Sequence, residues 1–325
     1  MVHERTPATT AAAALVARFR RQRPLRGGSL IITVFGDALA PRGGAVTLGS
    51  LIPLMRCFGL TERLVRTSAA RLAADDWLAT RRRGRLSEYR LSRSGRSRFL
   101  DATRRIYAGP ATAWTGSWTL VLLPGLDTPH RRRIREALRW EGFGEPEPGV
   151  LAHPTLTPAA TRTHLAALGL GDAAIILQSR AGERGADRRL LQAGWDLSDL
   201  ALRYARFIDS FTPVLAALAP RAQLPPPDAF IVRTLLIHEY RKIHLRDPLL
   251  PQSLLPQDWP GTAAYELCRS LYERVFPAAE EHLTRLAARL DGPLPPPDAS
   301  VYRRFAGLPR GREPGPGFSR RSAPG

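Results

Sequence analysis

Between Thr61 and Arg98 the chain reads TERLVRTSAARLAADDWLATRRRGRLSEYRLSRSGRSR. Guanidinium groups recur there at 63, 66 and 71, and again at 81, 82, 83 and 85. A guanidinium fork pairs with phosphate oxygens, and with the O6/N7 edge of guanine, through two parallel hydrogen bonds. The chemistry on offer is recognition of a polyanion. The layout is a short helix running into a two-stranded hairpin with Arg81-Arg82-Arg83-Gly84-Arg85 at its tip. A helix that enters a groove beside a basic hairpin lying on the backbone is a winged helix-turn-helix. Arg63, Arg66, Thr67 and Arg71 are the helix candidates for contact with double-stranded DNA, and Arg81, Arg82, Arg83 and Arg85 the hairpin candidates. Arg66 has a competing partner in Glu62, four residues earlier on the same face. Winged helices also serve as protein–protein modules, but the local positive charge favours DNA.

The 325 residues carry a formal charge of +19, unevenly placed. Residues 1–105 hold 21 arginines against 7 carboxylates, whereas 106–325 hold 27 basic against 22 acidic side chains. A coding bias towards arginine explains why Lys242 is the only lysine. It does not explain an excess over acids confined to one third, so a polyanion is expected to bind there.

The elements that must position these residues follow from periodicity. Leu30, Ile31, Val34, Phe35 and Leu39 repeat at helical spacing until Pro41 to Gly44 breaks the run. Thr47 and Thr61 are N-cap candidates for two further helices, the second burying Leu64 or Val65, Ala69 and Leu72. Trp77–Thr80 and Ser87–Leu91 are the hairpin strands, and a helix follows to Tyr107. From Trp114 the pattern becomes strand, helix, strand, helix, strand, with Gly142 to Gly149 as a turn region between. That order predicts a small ferredoxin-like α+β domain. From Trp195 the chain turns helical, with helices over 229–245, 262–275 and 278–290. The expected organisation is a disordered 1–27, a winged helix-turn-helix over 28–110, a ferredoxin-like domain over 111–190, a helical effector and dimerisation domain over 191–292, and a disordered 293–325. The fold class is α+β and multidomain.

Several segments resemble the PaaX-type family of transcriptional regulators. VRTSAARL at 65–72 is similar to the family's recognition helix, and GRLSEYRLSRSG at 84–95 to its wing. Trp114 to Leu123 resembles the start of its central domain. WDL at 195–197, LIHEYRKIHLRDP at 236–248 and LLPQDWPG at 254–261 resemble its C-terminal domain. The resemblance spans about residues 28 to 290. It implies a homodimeric repressor of a phenylacetate-type catabolic operon, released by an aryl-CoA thioester such as phenylacetyl-CoA. The residues can be read for such a ligand independently. Arg241, Lys242, His244 and Arg246 offer cations for phosphates, and Tyr240 and Trp259 offer rings for stacking. The alternatives stay open: Glu239 can pair with Lys242, the Asp-Pro and Trp-Pro segments can simply fix a loop, and the regulator can answer to another ligand or to none.

Enzymatic readings fare poorly. The central domain also resembles a small CRISPR adaptation nuclease, whose first strand ends on a metal-binding aspartate. Here that strand ends Leu122-Leu123-Pro124, and Asp127 comes too late. His3, His130, His153, His164, His238, His244 and His282 are scattered, and His238 and His244, six apart, do not share a helix face. Cys57 and Cys268 make neither a disulfide framework nor a metal cluster. No catalytic residue, metal or cofactor is expected. No apolar run is long enough to span a membrane, and a cytoplasmic protein is expected.

Overall fold

The structure is a computed structural model that describes residues 6–21, 27–110, 114–124, 129–170, 174–183, 185–218 and 223–308. In chain order the helices are α1 (Pro7–Arg21), α2 (Gly27–Val34), α3 (Leu48–Arg56), α4 (Glu62–Ala74), α5 (Arg93–Tyr107), α6 (Pro129–Trp140), α7 (Pro158–Ala167), α8 (Ala186–Gly194), α9 (Leu197–Ala217), α10 (Pro226–His244) and α11 (Pro260–Leu286). The strands are β1 (Ala45–Thr47), β2 (Leu78–Arg83), β3 (Leu86–Leu91), β4 (Trp118–Leu122), β5 (Gly144–Glu147), β6 (Val150–His153), β7 (Ile175–Ser179), β8 (Ala288–Arg289) and β9 (Gly292–Pro293). The α+β character expected from the sequence is present. Contacts divide the chain into two compact units. One, here the arginine-rich unit, comprises 16–99, 223–233 and 272–325; the other, the central unit, comprises 1–15, 100–222 and 234–271.

In the arginine-rich unit β1, β3 and β2 form an antiparallel sheet in that order. The Thr47 hydroxyl accepts the Ser50 N–H and starts α3, and the Thr61 hydroxyl accepts the Leu64 N–H and starts α4. Of the two residues offered for the inner face of α4, Val65 is fully buried, with Ala69 and Leu72 beside it. The hairpin strands are longer than the sequence suggested. Arg81, Arg82 and Arg83 lie inside β2 and pair with Glu88, Ser87 and Leu86 of β3, so the tip is only Gly84-Arg85. Gly84 has φ +58°, the left-handed conformation a two-residue hairpin turn demands.

The central unit contains the second sheet, antiparallel throughout, in the order β5-β6-β4-β7. With α6 and α7 this is the β-α-β-β-α-β order. Val121, Leu123 and Leu151 of the sheet region pack with Ile134 and Leu138 of α6 and Leu165 of α7. Strand β5 falls where the sequence suggested only a turn. GEPE lacks β-branched residues, and Pro146 argues against a central strand; β5 is an edge strand, where proline is tolerated. Glu145 fixes it through Arg135 at 3.0 Å and Arg139 at 2.7 Å. A Cβ on Gly144 would stand 2.5 Å from the Trp195 ring, so only glycine lets that indole lie on β5.

Three other expectations need correction. Residues 7–21, expected to lack order, are helical, because Ala8, Ala12, Leu15 and Phe19 recur at helical spacing and are buried. The two helices expected over 262–290 are the single helix α11, which continues through Pro277. The proline forfeits one backbone bond, and the buried Tyr272, Phe276, Ala279 and Leu283 on either side hold the turns. Residues 293–308 are also ordered, with Val301 and Phe305 buried. Helix α8 was not anticipated at all.

Candidate nucleic-acid interface

Helix α4 turns Val65, Ala69 and Leu72 inward, and this leaves Arg63, Arg66, Thr67 and Arg71 exposed. At 100° per residue positions 63, 66, 67, 70, 71 and 74 share one side, with Ala70 and Ala74 keeping its middle low. That is a helix surface on which long guanidinium stems can reach outward past small residues. The four are not equivalent. Arg66 pairs with Glu62 at 2.7 Å, while Arg71 meets Asp75 only at 4.0 Å. The Thr67 hydroxyl donates to the Arg63 carbonyl at 2.8 Å.

Arg81, Arg82, Arg83 and Arg85 are likewise exposed. Strand alternation divides them. Arg81 and Arg83 share a face with Glu88, whereas Arg82 points to the opposite face, with Thr80, Ser87 and Tyr89. Glu88 is 1% exposed because the small hairpin of β8 and β9 lies over it, and its Oε2 accepts the Leu290 N–H at 2.8 Å. The next residue, Asp291, pairs with Arg81 at 2.7 Å.

The same unit holds a buried charged network that sequence reasoning missed. Asp37 lies in a widened turn, Phe35–Leu39, that continues α2. Its carboxylate accepts from Arg233 Nε at 2.7 Å, the Tyr272 hydroxyl at 2.8 Å and Arg304 Nη1 at 3.0 Å. Arg233 also donates to Glu280, which in turn accepts from Arg42. Paired arginines hold the Glu280 carboxyl below its ordinary value despite burial. No spacing rule could have found these partners, since Asp37 and Arg304 are 267 residues apart.

The six ligand candidates fall in the central unit, and they do not line one site. Tyr240 is fully buried, His244 nearly so, and Trp259 half-buried. Lys242 is on the surface, 3.2 Å from Glu239, and Arg246 is exposed. Arg241 is half-buried, and burial lowers its pKa to about 10. The Tyr204 hydroxyl links His244 Nδ1, at 2.9 Å, to the Asp247 carboxylate, to which it donates at 2.7 Å. His244 Nε2 faces the Arg105 carbonyl at 3.1 Å. Burial lowers the His244 pKa to about 4 and raises that of Asp247. The adjoining cavity, bounded also by Trp259 and Tyr265, is about 30 Å³, room for one water and not for an acyl chain. A cleft of about 950 Å³ lies elsewhere in the unit, between Trp114, Asp187, Arg188, Trp195, Ser198 and Ser253.

The Tyr204 cluster is therefore structural in its geometry. The Tyr204 hydroxyl is the partner of two buried neighbours, donating to Asp247 and meeting His244 Nδ1, so Tyr204→Phe strands both and is expected to cost about 1–3 kcal/mol in urea unfolding. Asp247→Asn supplies a second hydrogen and keeps an acceptor for the Leu249 N–H, which now bonds Asp247 at 2.8 Å. It is expected to stay within about 1 kcal/mol of wild type. The reverse ranking would contradict this account.

Among the described residues no three His, Cys, Asp or Glu side chains group as a metal site, and no helix is long and apolar enough to cross a membrane. Asp127 lies outside the described residues. Three family models match the chain: PaaX-like protein over 26–95, PaaX protein central Cas2-like domain over 111–191, and PaaX-like protein C-terminal domain over 195–285. The transcriptional repressor PaaX of Escherichia coli (strain K12) is 39% identical over 289 residues, which covers 88% of this chain and 92% of that protein. The chain belongs to the PaaX-like family. The first PaaX match contains α4, β2 and β3, and with them every residue put forward for DNA. The C-terminal PaaX match contains Tyr204, Tyr240, His244 and Trp259. It stops at 285, before the hairpin that carries Asp291. A solved structure, uncharacterized protein Rv0674 from Mycobacterium tuberculosis, is 24% identical with a TM-score of 0.44, covering 70% of this chain and 89% of that one.

Proposed function

We propose that this PaaX-like chain is a transcriptional repressor of an aromatic, phenylacetate-type catabolic operon and has no enzymatic activity. Its winged helix-turn-helix is α3, α4 and the β2–β3 wing, with α4 as the recognition helix. Arg63, Arg66, Thr67 and Arg71 face base edges and phosphates, and Arg81, Arg82, Arg83 and Arg85 supply wing contacts. A homodimer places two such modules on the half-sites of an imperfect palindrome. The ferredoxin-like domain has a linking or dimerising role. The observation that carries this reading is the identity with a transcriptional repressor over 88% of the chain, joined to an exposed arginine face on α4.

Release comes from an aryl-CoA thioester such as phenylacetyl-CoA. The effector must bind the DNA-incompetent arrangement more tightly than the competent one. The stacking of buried Tyr240 on His244, the bond from His244 to Tyr204 and the small cavity beside them favour the larger cleft at Trp114, Arg188 and Trp195 as its seat. A cleft of that size suits a bulky ligand, with indoles for the aryl group.

A mobility-shift assay on DNA upstream of the protein's own gene tests both parts. Binding is expected to be specific, and to be released by phenylacetyl-CoA but not by phenylacetate or CoA alone. Specific binding that ignores the thioester would leave a repressor with a different effector or none. Absence of specific binding at moderate salt would overturn the DNA reading.

A further inference from the structure

The hairpin of β8 and β9 puts an acid beside the arginines of β2. Two backbone N–H groups fix its place, one against α3 and one against β3. The Ala288 N–H donates to the Ser50 hydroxyl at 3.0 Å, and the Leu290 N–H donates to the buried Glu88 at 2.8 Å. The ladder pairs Arg289 with Gly292, so Leu290 and Asp291 form the loop. With Leu290 clipped to Glu88, Asp291 is delivered to Arg81, which faces Glu88 across the ladder from β2. The Asp291 carboxylate meets Arg81 at 2.7 Å, with both side chains about half exposed. Arg81, then Arg83 and Arg289, hold its carboxyl below the ordinary aspartate value. An anion held against a guanidinium, with two more arginines near, has the charge environment of a bound phosphate.

We infer that Asp291 is a built-in competitor for DNA: in the unbound protein it occupies the wing guanidinium that a backbone phosphate takes in the complex. This rests on the wing reading above. A phosphate arriving at Arg81 must displace the carboxylate, and the displaced acid then faces the DNA. The penalty is the same on any sequence. It weakens binding to the genome's many random sites, where the electrostatic contribution supplies nearly all the affinity. Base contacts made by α4 can offset it only at the operator.

The test compares full-length wild type with Asp291→Asn on an operator duplex and a scrambled duplex, by fluorescence anisotropy between about 50 and 200 mM salt. At the low-salt end Asp291→Asn is expected to bind both duplexes about fivefold more tightly, with the salt dependence steeper by about 0.9 in log–log slope. Adding Arg81→Gln to that variant is expected to abolish the gain. Asp291→Asn binding both duplexes as wild type does, or tightening on the operator alone, would overturn the inference and leave the DNA reading standing. Failure of wild type to bind either duplex would overturn the DNA reading itself.

Discussion

Asp37→Asn is expected to destabilise the arginine-rich unit by roughly 3–5 kcal/mol, the cost of breaking a buried ion pair from one side. The variant keeps the size of the side chain but exchanges one acceptor oxygen for an NH2 donor, so the loss reports the charge together with that acceptor. Asp37 is 3% exposed, and it answers two arginines, Arg233 and Arg304, together with Tyr272. Without its charge, Glu280, which pairs with Arg42 and Arg233, is the carboxylate left to this largely buried network. Arg233 is fully buried over the rings of Tyr272 and Phe276, 5.2 and 5.0 Å from their centroids, and cannot swing out to solvent. Urea unfolding followed by a probe in this unit should show a lower midpoint with an unchanged slope. A loss below about 1 kcal/mol would mean that the three arginines are hydrated.

The same residues show what the sequence could and could not reveal. Helix α4 was legible because one feature, the spacing of Val65, Ala69 and Leu72, fixes both its buried side and, by difference, its exposed arginines. The caps at Thr47 and Thr61 were legible because capping is local chemistry. Asp37 was not. Its neighbours Phe35 and Leu39 read as an apolar helix stripe, and nothing nearby says that the acid between them turns inward to partners 196 and 267 residues away. Tyr240 and His244 show the converse. Their types suit a ligand, and their burial, with Tyr240 stacked on His244 and His244 bonded to Tyr204, could not be read from the sequence. Burial also explains the hairpin. Counted by sequence, Arg81 to Arg83 is a basic tip. Placed in β2, those residues alternate between faces, and only Arg81 and Arg83 share the side that meets Asp291.

That alternation sharpens the second large effect. Replacing Arg63 and Arg66 together by alanine is expected to weaken operator binding by about 10–100-fold, the cost of losing one good base-edge contact. Binding to scrambled DNA should fall far less. Of the two single variants, Arg63→Ala is expected to carry most of the loss. Arg66 is already engaged by Glu62 at 2.7 Å, and it must surrender that pair before it can meet a base. The pair is exposed, so breaking it costs little, but the gain from Arg66 is reduced by the same amount. Wing variants should behave differently. Arg82→Ala and Arg83→Ala each remove one charge near the backbone, so each should weaken operator and scrambled DNA equally and lower the log–log salt slope by about 0.9 if it contacts a phosphate. They lie on opposite faces of the ribbon, so a duplex lying against one face of the wing engages one of them more than the other. Salt slopes for the two single variants therefore report which face of the wing meets the DNA. A loss confined to Arg82→Ala would put the duplex on the side away from Asp291, and a loss confined to Arg83→Ala would put it on the side where the carboxylate competes. Equal operator and scrambled losses for Arg63→Ala would move that residue from base recognition to phosphate contact.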